Sequence, residues 1–429
     1  MSLNQNHNGY TTYILHIKIL LIIIILFSNK HINIQIKVVK IAHQQNGINQ
    51  KLSKLIKKLN RYEIKRNPKY ILFFDFINSP ICSDTNSFIL FQAYQQNNDT
   101  NAYYVINERT ELYKTLLQKN RTKNIIPFKG YKYIDDLFPF LLHTKIIVQS
   151  YALYEFQIIA SQVKYLKFLY LCHAVNYFKK NQIKIELLKL SEDKKNIILS
   201  SPYEYYLYKQ MNLYKETSMY FAGLPRYERF SEKKKLYNDE NCILTSFTYR
   251  SYNNSLYVQS LFRHNLESFL KDESLISFLE EKKINLIYIP HHHDENRNRI
   301  LKKNEFPKLI IPSQESLSYY IERCSLFITD FSSISFDFMF QNKPVLFYHL
   351  DVNDKFDFPE KSYMMIENNN SIYYENIFYD KEPLINNIKY FVNRKFQLND
   401  GLSKKYKSMF YYKKGIIKRI INIINNIIE

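Results

Sequence analysis

The stretch that decides the fold is Leu326-Phe-Ile-Thr-Asp-Phe-Ser-Ser-Ile-Ser-Phe-Asp-Phe-Met-Phe-Gln-Asn-Lys-Pro-Val-Leu-Phe-Tyr348. An apolar run ends in Thr329-Asp330, two hydroxyls follow at Ser332 and Ser333, and a helical period then leads through Lys343-Pro344 into a second apolar run. The order is strand, turn, helix, strand. Free N–H groups at a helix start, with serine hydroxyls beside them, suit a phosphate. The same pattern also fits a simple helix cap made by Asp330 or Ser332.

Composition bounds the class of protein. The chain has 429 residues, 46% of them hydrophobic and 16% aromatic, which is enough for two domains and excludes a disordered chain. With only 6 glycines, it has no GxGxxG or GxxxxGK[ST] run, so any phosphate site must use helix starts and side chains. The formal charge of +20 favours anionic partners, although it also reflects a lysine-rich composition. Because no zinc-finger spacing or RNP-type motif accompanies that charge, we expect no nucleic-acid partner.

The four cysteines are widely scattered and form no CxxC pair. This spacing argues against a disulfide framework and against a zinc site, and it favours a reducing compartment.

The N-terminal segment holds an unbroken apolar run from Ile19 to Phe27, followed by a basic stretch from Lys37 to Lys69. The run is shorter than the roughly 20 apolar residues that a spanning helix needs. We therefore favour a surface anchor or a buried helix over a true span. An anionic membrane surface would suit the basic stretch, so we expect the protein at the cytoplasmic face of the cell membrane, peripheral or N-terminally anchored.

Short apolar runs alternate with helical periods from residue 69 onward, which is typical of parallel sheets with crossover helices. Two series of candidate strands are present. The first comprises 71–74, 103–106, 146–149, 168–171 and 197–200, and the second comprises 243–246, 286–289, 309–311, 326–329 and 345–348. Candidate helices include 85–96, opened by Ser83-Asp84, and 131–142, while Ser201-Pro202 has the form of a helix start.

This pattern predicts an α/β chain of two facing Rossmann-like domains, the GT-B arrangement, with its site at the carboxyl ends of the strands between the halves. The domain boundaries follow the same pattern. We assign residues 1–66 to a membrane-associating segment, 67–212 to the first Rossmann-like domain, 213–400 to the second and 401–429 to a C-terminal helix.

Two histidine segments follow candidate strands. His173 comes directly after Tyr170-Leu-Cys, where an imidazole could accept a proton at physiological pH, although a single histidine can equally be structural. The run His291-His-His-Asp294 follows Ile287-Tyr-Ile-Pro. Since successive residues of an extended chain point to opposite faces, at most two of these histidines could converge on a metal, and a solvated loop is the alternative.

Tyr220-Phe-Ala-Gly-Leu-Pro-Arg226 has the form of a further short strand and turn, and Thr248-Tyr-Arg250 is a turn after the candidate strand 243–246. Arginine in such a place suits bidentate contact with phosphate, but it is also an ordinary partner in a surface ion pair.

These segments together resemble the CDP-glycerol glycerophosphotransferases, the teichoic-acid polymerase and primase family. Residues 326–348 resemble its TD-[YF]-SS-x-x-[FY]-D-x5-KP signature, which binds the donor phosphates in that family. The segments at His173, His291, Arg226 and Arg250 resemble its HG-x-x-x-K, HP, G-x-PR and T-W-R elements. The chain departs from these patterns at Ala174, at His292 and at Glu228, which sits one position late for the acid of the G-x-PR turn.

The resemblance implies an enzyme that moves a polyol phosphate, first of all glycerol phosphate from CDP-glycerol, onto a hydroxyl of a lipid-linked or surface-glycan acceptor, releasing CMP. It also implies that the first Rossmann-like domain is the acceptor-side domain and the second the donor-binding domain. His173 and His291 are then the catalytic candidates, and the donor-binding candidates are Arg226, Arg250, Thr329, Asp330, Ser332 and Ser333. No cofactor or metal ligand is predicted, and a divalent-ion requirement stays open. The alternatives are a GT-B glycosyltransferase with a nucleotide-sugar donor and a non-catalytic, membrane-associated polymer-binding protein.

Overall fold

The computed structural model describes residues 47–62, 69–75, 85–97, 99–150, 154–175, 194–212, 214–232, 241–248, 256–290, 309–310, 317–350 and 376–429. Its described strands form two sheets, and every described strand pair is parallel. The predicted α/β class with parallel sheets is confirmed.

The first sheet has seven strands in the order β3-β2-β1-β4-β5-β6-β7. Its strands are β1 (Tyr70–Phe74), β2 (Ala102–Asn107), β3 (Ile125–Phe128), β4 (Thr144–Gln149), β5 (Lys167–Tyr170), β6 (Lys195–Leu199) and β7 (Met219–Phe221). The helices of this half are α1 (residues 47–61), α2 (Asn86–Gln96), α3 (Glu111–Gln118), α4 (Phe138–His143), α5 (Tyr154–Gln162), α6 (Pro202–Gln210) and α7 (Pro225–Glu232), with 3-10 turns at Tyr131–Leu137 and Glu216–Ser218.

The second sheet has six strands in the order β10-β9-β8-β11-β12-β13. Its strands are β8 (Cys242–Thr245), β9 (Asn285–Tyr288), β10 (Leu309–Ile310), β11 (Leu326–Thr329), β12 (Val345–Tyr348) and β13 (Ile377–Phe378). The remaining helices are α8 (Leu256–Leu270), α9 (Glu273–Glu281), α10 (Leu317–Arg323), α11 (Ser335–Phe340), α12 (Lys381–Asn393), α13 (Asp400–Ser408) and α14 (Ile416–Ile428).

The central strands are buried along their length, which is why they appear in the sequence as continuous apolar runs. Two strands were not predicted. The first, β3, contains Pro127 and pairs only at the edge of its sheet, where the missing N–H costs no ladder bond. The second, β13, is only two residues long, too short for a periodic signal.

Helix starts differ from the sequence prediction in two places. The start of α2 is capped by Thr85, whose hydroxyl accepts the Phe88 N–H, while Ser83-Asp84 lie outside the described residues. The segment predicted as one helix over 131–142 is a 3-10 turn followed by the short α4, with Pro139 in its first turn. The predicted start at Ser201-Pro202 is confirmed, and it forms a full capping box with Glu204.

The first sheet extends beyond residue 212, because β7 pairs with β6. The sequence placed Met219–Phe221 in the second domain, since a three-residue strand carries little information about its pairing partner. After β7, Gly223 has a φ of 124° and lies against Ile416, so a side chain there would be both strained and crowded.

The C-terminal region, predicted as one helix over 401–429, instead forms two helices, α13 and α14, and Gly415 in the left-handed conformation precedes the second. The apolar spacing of α14 buries Ile416, Ile420 and Ile424 against the first half. Glu228 of α7 accepts the backbone N–H groups of Gly415, Ile416 and Ile417, and so caps α14. Among the described helices, none has the length and apolar character needed to cross a bilayer.

Candidate active site

Polar side chains gather where the strands of the first sheet end. Asp75 follows β1, Ser150 follows β4 and His173 follows β5 at a distance of a few residues. Because neighbouring parallel strands end at the same edge, these side chains occupy one region of the molecule. The start of α2 enters it too, since the Ser87 N–H donates to the Ser150 Oγ at 2.7 Å.

His173 is partly buried, and its backbone is held on two sides. The carbonyl of the preceding residue, Cys172, accepts a hydrogen bond from the Asn86 amide at 2.8 Å. The carbonyl of His173 itself accepts one from Nη1 of Arg226. The structure therefore places the predicted catalytic histidine at the carboxyl end of the first sheet, as expected from the sequence, and in contact with the predicted donor-binding arginine.

Arg226 lies in the first turn of α7, and its guanidinium joins the two halves of the chain. Its Nη2 and Nε donate to Oδ1 of Asp337 at 2.7 and 3.0 Å. Both side chains of this ion pair are largely buried. The contact of Arg226 with donor phosphate stays a prediction. An ion pair was the alternative that the sequence left open, and the structure places it in a largely buried setting and not at the surface.

In the second half, Thr329 and Asp330 tie two strand ends together. The Thr329 hydroxyl donates to the Ser246 carbonyl at 2.7 Å, which links β11 to the end of β8. The fully buried Asp330 accepts the Thr248 N–H at 2.9 Å, the Thr248 hydroxyl at 2.5 Å and the Phe331 N–H at 2.6 Å. Both side chains thus organise the turns around the predicted donor site, including the one that leads to Arg250.

Ser332 and Ser333 lie in the turn between β11 and α11, and both are partly exposed. The Ser332 Oγ accepts the Ile334 N–H at 3.4 Å, and the Ser332 carbonyl accepts from the Ser335 hydroxyl at 2.8 Å. The Ser333 carbonyl accepts the Phe336 N–H at 3.2 Å. The turn therefore has a defined backbone and presents two hydroxyls at the end of β11, as the sequence predicts.

The Asp and Lys positions of the 326–348 motif, Asp337 and Lys343, have structural contacts. Asp337 binds Arg226, and Lys343 donates to the carbonyls of Ile321 and Glu322 at 3.0 and 2.7 Å, which caps the end of α10. Burial lowers the pKa of the Lys343 ammonium to about 8. The motif thus combines a turn that can face a ligand with the contacts that hold this turn in place.

Comparison with known proteins identifies the family. Residues 56–426 match the model of the CDP-glycerol:poly(glycerophosphate) glycerophosphotransferases. The chain belongs to this family. It is also similar to the minor teichoic acid biosynthesis protein GgaB of Bacillus subtilis (strain 168), with 22% identity over 377 residues. That match covers 81% of this chain and 39% of GgaB, so the chain spans about two fifths of the length of this relative.

Solved structures give the same fold. The wall teichoic acid polymerase TagF matches 91% of this glycerophosphotransferase-family chain and 96% of its own, with a TM-score of 0.60 and 15% identity. A putative UDP-N-acetylglucosamine 2-epimerase from Listeria monocytogenes matches 84% of this chain and 96% of its own, with a TM-score of 0.54 and 14% identity. At these identities the likeness establishes the shared two-sheet α/β fold.

Asp75 is a buried acid of this family member that the sequence analysis missed. Its Oδ2 accepts hydrogen bonds from Thr85 and, at 2.9 Å, from the Tyr104 hydroxyl. Among the described residues, Oδ1 has no hydrogen-bond partner. Burial raises the pKa of this carboxyl to about 6, and the hydrogen bonds from Thr85 and Tyr104 offset part of that effect. The sequence signal that could have identified Asp75 is its position directly after an apolar strand, as for His173.

We expect Asp75→Asn to change how stability depends on pH. The folded pKa of about 6 lies above the ordinary value, so the folded state holds a proton that the unfolded state has released. The stability contribution of Asp75 is therefore present below about pH 4 and is lost as the pH rises through about 6, by about 3 kcal/mol in total. Urea unfolding of wild type and variant at several pH values measures it. Parallel stability curves for the two proteins would contradict the prediction.

His349 is a second residue that the sequence analysis missed. It follows β12 directly, is buried, and packs its ring on Phe331 with 4.3 Å between ring centroids. The exposed Tyr379 lies edge-on to it at 5.4 Å. The rule that singled out His173, a histidine immediately after an apolar strand, applies equally here and would have found it.

Several predicted site residues lie outside the described residues, namely Arg250 and the run His291-His-His-Asp294. Their roles stay predictions. Within the described part of the chain, no group of three or more His, Cys, Asp or Glu side chains could hold a metal ion.

Proposed function

We propose that this chain is a glycerophosphotransferase that moves a polyol phosphate, in the first place glycerol phosphate from CDP-glycerol, onto a hydroxyl of a lipid-linked or surface-glycan acceptor. The product would be a polymer of the teichoic-acid type. The observation that carries the proposal is the placement of His173 and the Ser332–Ser333 turn on opposite halves, joined by Arg226 and Asp337. Family membership supports the donor class.

The reaction is an in-line displacement at the β-phosphorus of the donor. The acceptor oxygen forms a new bond to that phosphorus, while the bond from phosphorus to the bridging oxygen breaks and CMP leaves with that oxygen. The acceptor hydroxyl releases a proton, which His173 accepts at its ring nitrogen. Such reactions depend mainly on the positioning of the two reactants and on neutralising charge.

The roles of the other residues follow from their positions. The Ser332 and Ser333 hydroxyls would donate to the diphosphate, in a turn that Asp330 and Thr329 keep in place. Arg250 and His291 are the candidates for neutralising the leaving phosphate. Arg226 is already paired with Asp337, so its net contribution to charge neutralisation is small.

A donor screen tests the proposed function. The purified chain is incubated with CDP-glycerol, other CDP-polyols and nucleotide sugars in the presence of a soluble acceptor analogue. Release of CMP from a CDP-polyol supports the proposal. Release of a nucleotide from nucleotide sugars alone would make the chain a glycosyltransferase, and ligand binding without any turnover would favour a polymer-binding protein.

We expect Ser333→Ala to weaken the binding of CDP-glycerol roughly tenfold or more, because a hydrogen bond to a charged oxygen contributes about 1.5–3 kcal/mol. Calorimetry with CDP-glycerol measures the affinity, and the melting temperature shows that the fold survives. Ser332→Ala is the companion variant. Unchanged affinity in both single variants would leave this turn with a capping role only.

We also propose an anionic membrane surface as a partner, as the sequence predicts. Helix α1 buries Leu52, Leu55, Ile56 and Leu59 against the body and leaves a basic face. On that face, Lys54, Lys57, Lys58, Arg61 and Tyr62 lie close together. Because like charges are gathered on one exposed face, this helix would lie against anionic headgroups at the cytoplasmic face of the membrane.

Neutralising two lysines of this face, as Lys54→Gln with Lys57→Gln, is expected to weaken binding to phosphatidylserine vesicles about thirtyfold, since each nearby cation contributes about 1 kcal/mol. Vesicle co-sedimentation measures the change. The matched control is Lys404→Gln with Lys407→Gln on α13, which removes the same charge from another exposed helix. Equal losses in both double variants would show that net charge, and not this face, drives binding.

A further inference from the structure

The backbone around His173 is held by side chains from two separate parts of the chain. Asn86 Nδ2 donates to the Cys172 carbonyl at 2.8 Å, and Arg226 Nη1 donates to the His173 carbonyl. Two consecutive carbonyls are thus fixed by two different side chains. Such paired contacts determine the orientation of the peptide between them and, with it, the direction in which the His173 side chain leaves the backbone.

Cys172 itself has a φ of 58° and is fully buried. A residue with a Cβ in the left-handed region costs about 1–2 kcal/mol relative to the common conformations. That conformation persists only where several surrounding contacts hold the backbone in it. The hydrogen bonds from Asn86 and Arg226 to the carbonyls of Cys172 and His173 are contacts of this kind.

Asn86 is rigidly placed. It is the first residue of α2, is 1% exposed, and follows the N-cap Thr85, which binds Asp75. Its Oδ1 accepts the backbone N–H of Arg226 at 3.2 Å, so one amide side chain contacts the segments at Cys172 and at Arg226. Asn86 and Arg226 are therefore also hydrogen-bonded to each other.

Asp337, the ion-pair partner of Arg226, lies in the other half of the chain. It belongs to α11, the helix that follows the Ser332–Ser333 turn, and its side chain is 3% exposed. Movement of that turn and helix on donor binding would be transmitted through Asp337 to the guanidinium of Arg226 and then to the His173 carbonyl. Along this hydrogen-bonded path, only these two side chains lie between α11 and the His173 carbonyl.

We propose that Asn86, Arg226 and Asp337 are positioning residues, which hold His173 in its working orientation and couple that orientation to the donor half of the enzyme. The proposal rests on the function proposed above for His173 and adds three residues to it. Asn86 and Asp337 act entirely through their partners. The two hydrogen bonds from Nε and Nη2 of Arg226 to Oδ1 of Asp337 fix the guanidinium, whose Nη1 donates to the histidine carbonyl.

A neighbouring ion pair provides a matched control. Arg229, also on α7, donates to Glu322 of α10 through Nε at 2.8 Å. Glu322 is 8% exposed and Arg229 is 33% exposed, so this pair also joins the two halves, in a less buried setting. The described contacts of Arg229 and Glu322 do not include His173. Breaking this pair changes the contact between the halves and leaves the proposed positioning contacts intact.

The experiment compares Asp337→Asn and Asn86→Ala with Glu322→Gln in the full chain. In the two positioning variants we expect kcat for CMP release to fall between about tenfold and a hundredfold, since misplacement of a catalytic group by about 1 Å has that consequence. We expect the affinity for CDP-glycerol to stay close to that of wild type. In Glu322→Gln we expect kcat to stay near that of the wild type.

A double-mutant cycle separates positioning from general destabilisation. Once His173→Gln has removed the candidate base, Asp337→Asn should have little further effect on kcat, because the residue acts through His173. Additive losses in the double variant would overturn the proposal. So would a loss in Glu322→Gln equal to that in Asp337→Asn. If Asp337→Asn does not fold, Asn86→Ala is carried through the same cycle.

A second readout does not require turnover. The ring signals of His173 in a histidine-labelled protein are assigned by their absence in His173→Gln. Displacement or broadening of these signals in Asp337→Asn and Asn86→Ala, but not in Glu322→Gln, supports the positioning role even if the donor screen shows no transfer. Unchanged His173 signals in both positioning variants would overturn it, whatever the enzyme's substrate proves to be.

Discussion

Replacing His173 by alanine is expected to lower kcat by about 10²–10⁴-fold, the range that a general base typically contributes. The affinity for CDP-glycerol should remain nearly unchanged. The physical reason is the position of the residue. His173 follows β5 in the first half, whereas the turn predicted to hold the diphosphate follows β11 in the second half. Steady-state kinetics of CMP release, together with calorimetry of donor binding, measures the two effects separately.

The variant His173→Gln distinguishes proton transfer from orientation. Glutamine preserves much of the size and hydrogen-bonding capacity of the imidazole, but it cannot accept a proton at neutral pH. We therefore expect it to be almost as impaired as His173→Ala. Near-normal kcat in His173→Gln would reduce His173 to an orienting group and make His291 the leading candidate for the base.

The second large effect is expected at Asp330, where alanine should destabilise the protein by about 4 kcal/mol and weaken CDP-glycerol binding by more than about tenfold. The fully buried carboxylate of Asp330 accepts three hydrogen bonds from described residues, two from Thr248 and one from the Phe331 N–H. Hydrogen bonds to a charged group contribute about 1.5–3 kcal/mol each, and the loss is smaller than their sum because these donors are only partly buried and can bind water. Chemical unfolding and calorimetry measure the two losses.

Asp330→Asn serves as the matched control. The amide oxygen still accepts the two backbone N–H groups, and the Thr248 hydroxyl can accept a hydrogen bond in place of donating one. We expect this variant to retain most of the stability and donor affinity that Asp330→Ala loses. If both variants lost donor affinity while stability stayed normal, Asp330 would act directly on the ligand and not through the turns it holds.

Much of the second half of the chain was predictable because its signals are local. The strands β11 and β12 appear in the sequence as the apolar runs 326–329 and 345–348, with the same bounds in the structure. The turn hydroxyls of Ser332 and Ser333 follow from their position between a strand and a helical period. In such segments the side chains that matter are neighbours along the chain, so their spacing already encodes the structure.

The roles of the predicted residues were harder to predict from the sequence. Thr329 and Asp330 were predicted as donor-binding residues, whereas their described hydrogen bonds go to Ser246, Thr248 and the next backbone N–H. A hydroxyl or a carboxylate at a strand end has the same appearance in a sequence whether its partner is a ligand or another turn. Only the position of β8 beside β11 identifies that partner.

By itself, the sequence determined the α/β class, the two series of parallel strands, the turn at the end of β11 and the amphipathic helix α14, since each depends on the periodicity of apolar residues along the chain. The tertiary structure alone decided that Asp75 is buried with a raised pKa and that Arg226 meets Asp337, 111 residues away, and the carbonyl of His173, 53 residues away. Periodicity specifies which face of an element is buried. It does not specify which distant polar group lies opposite, because that depends on how the two packed halves are placed against each other.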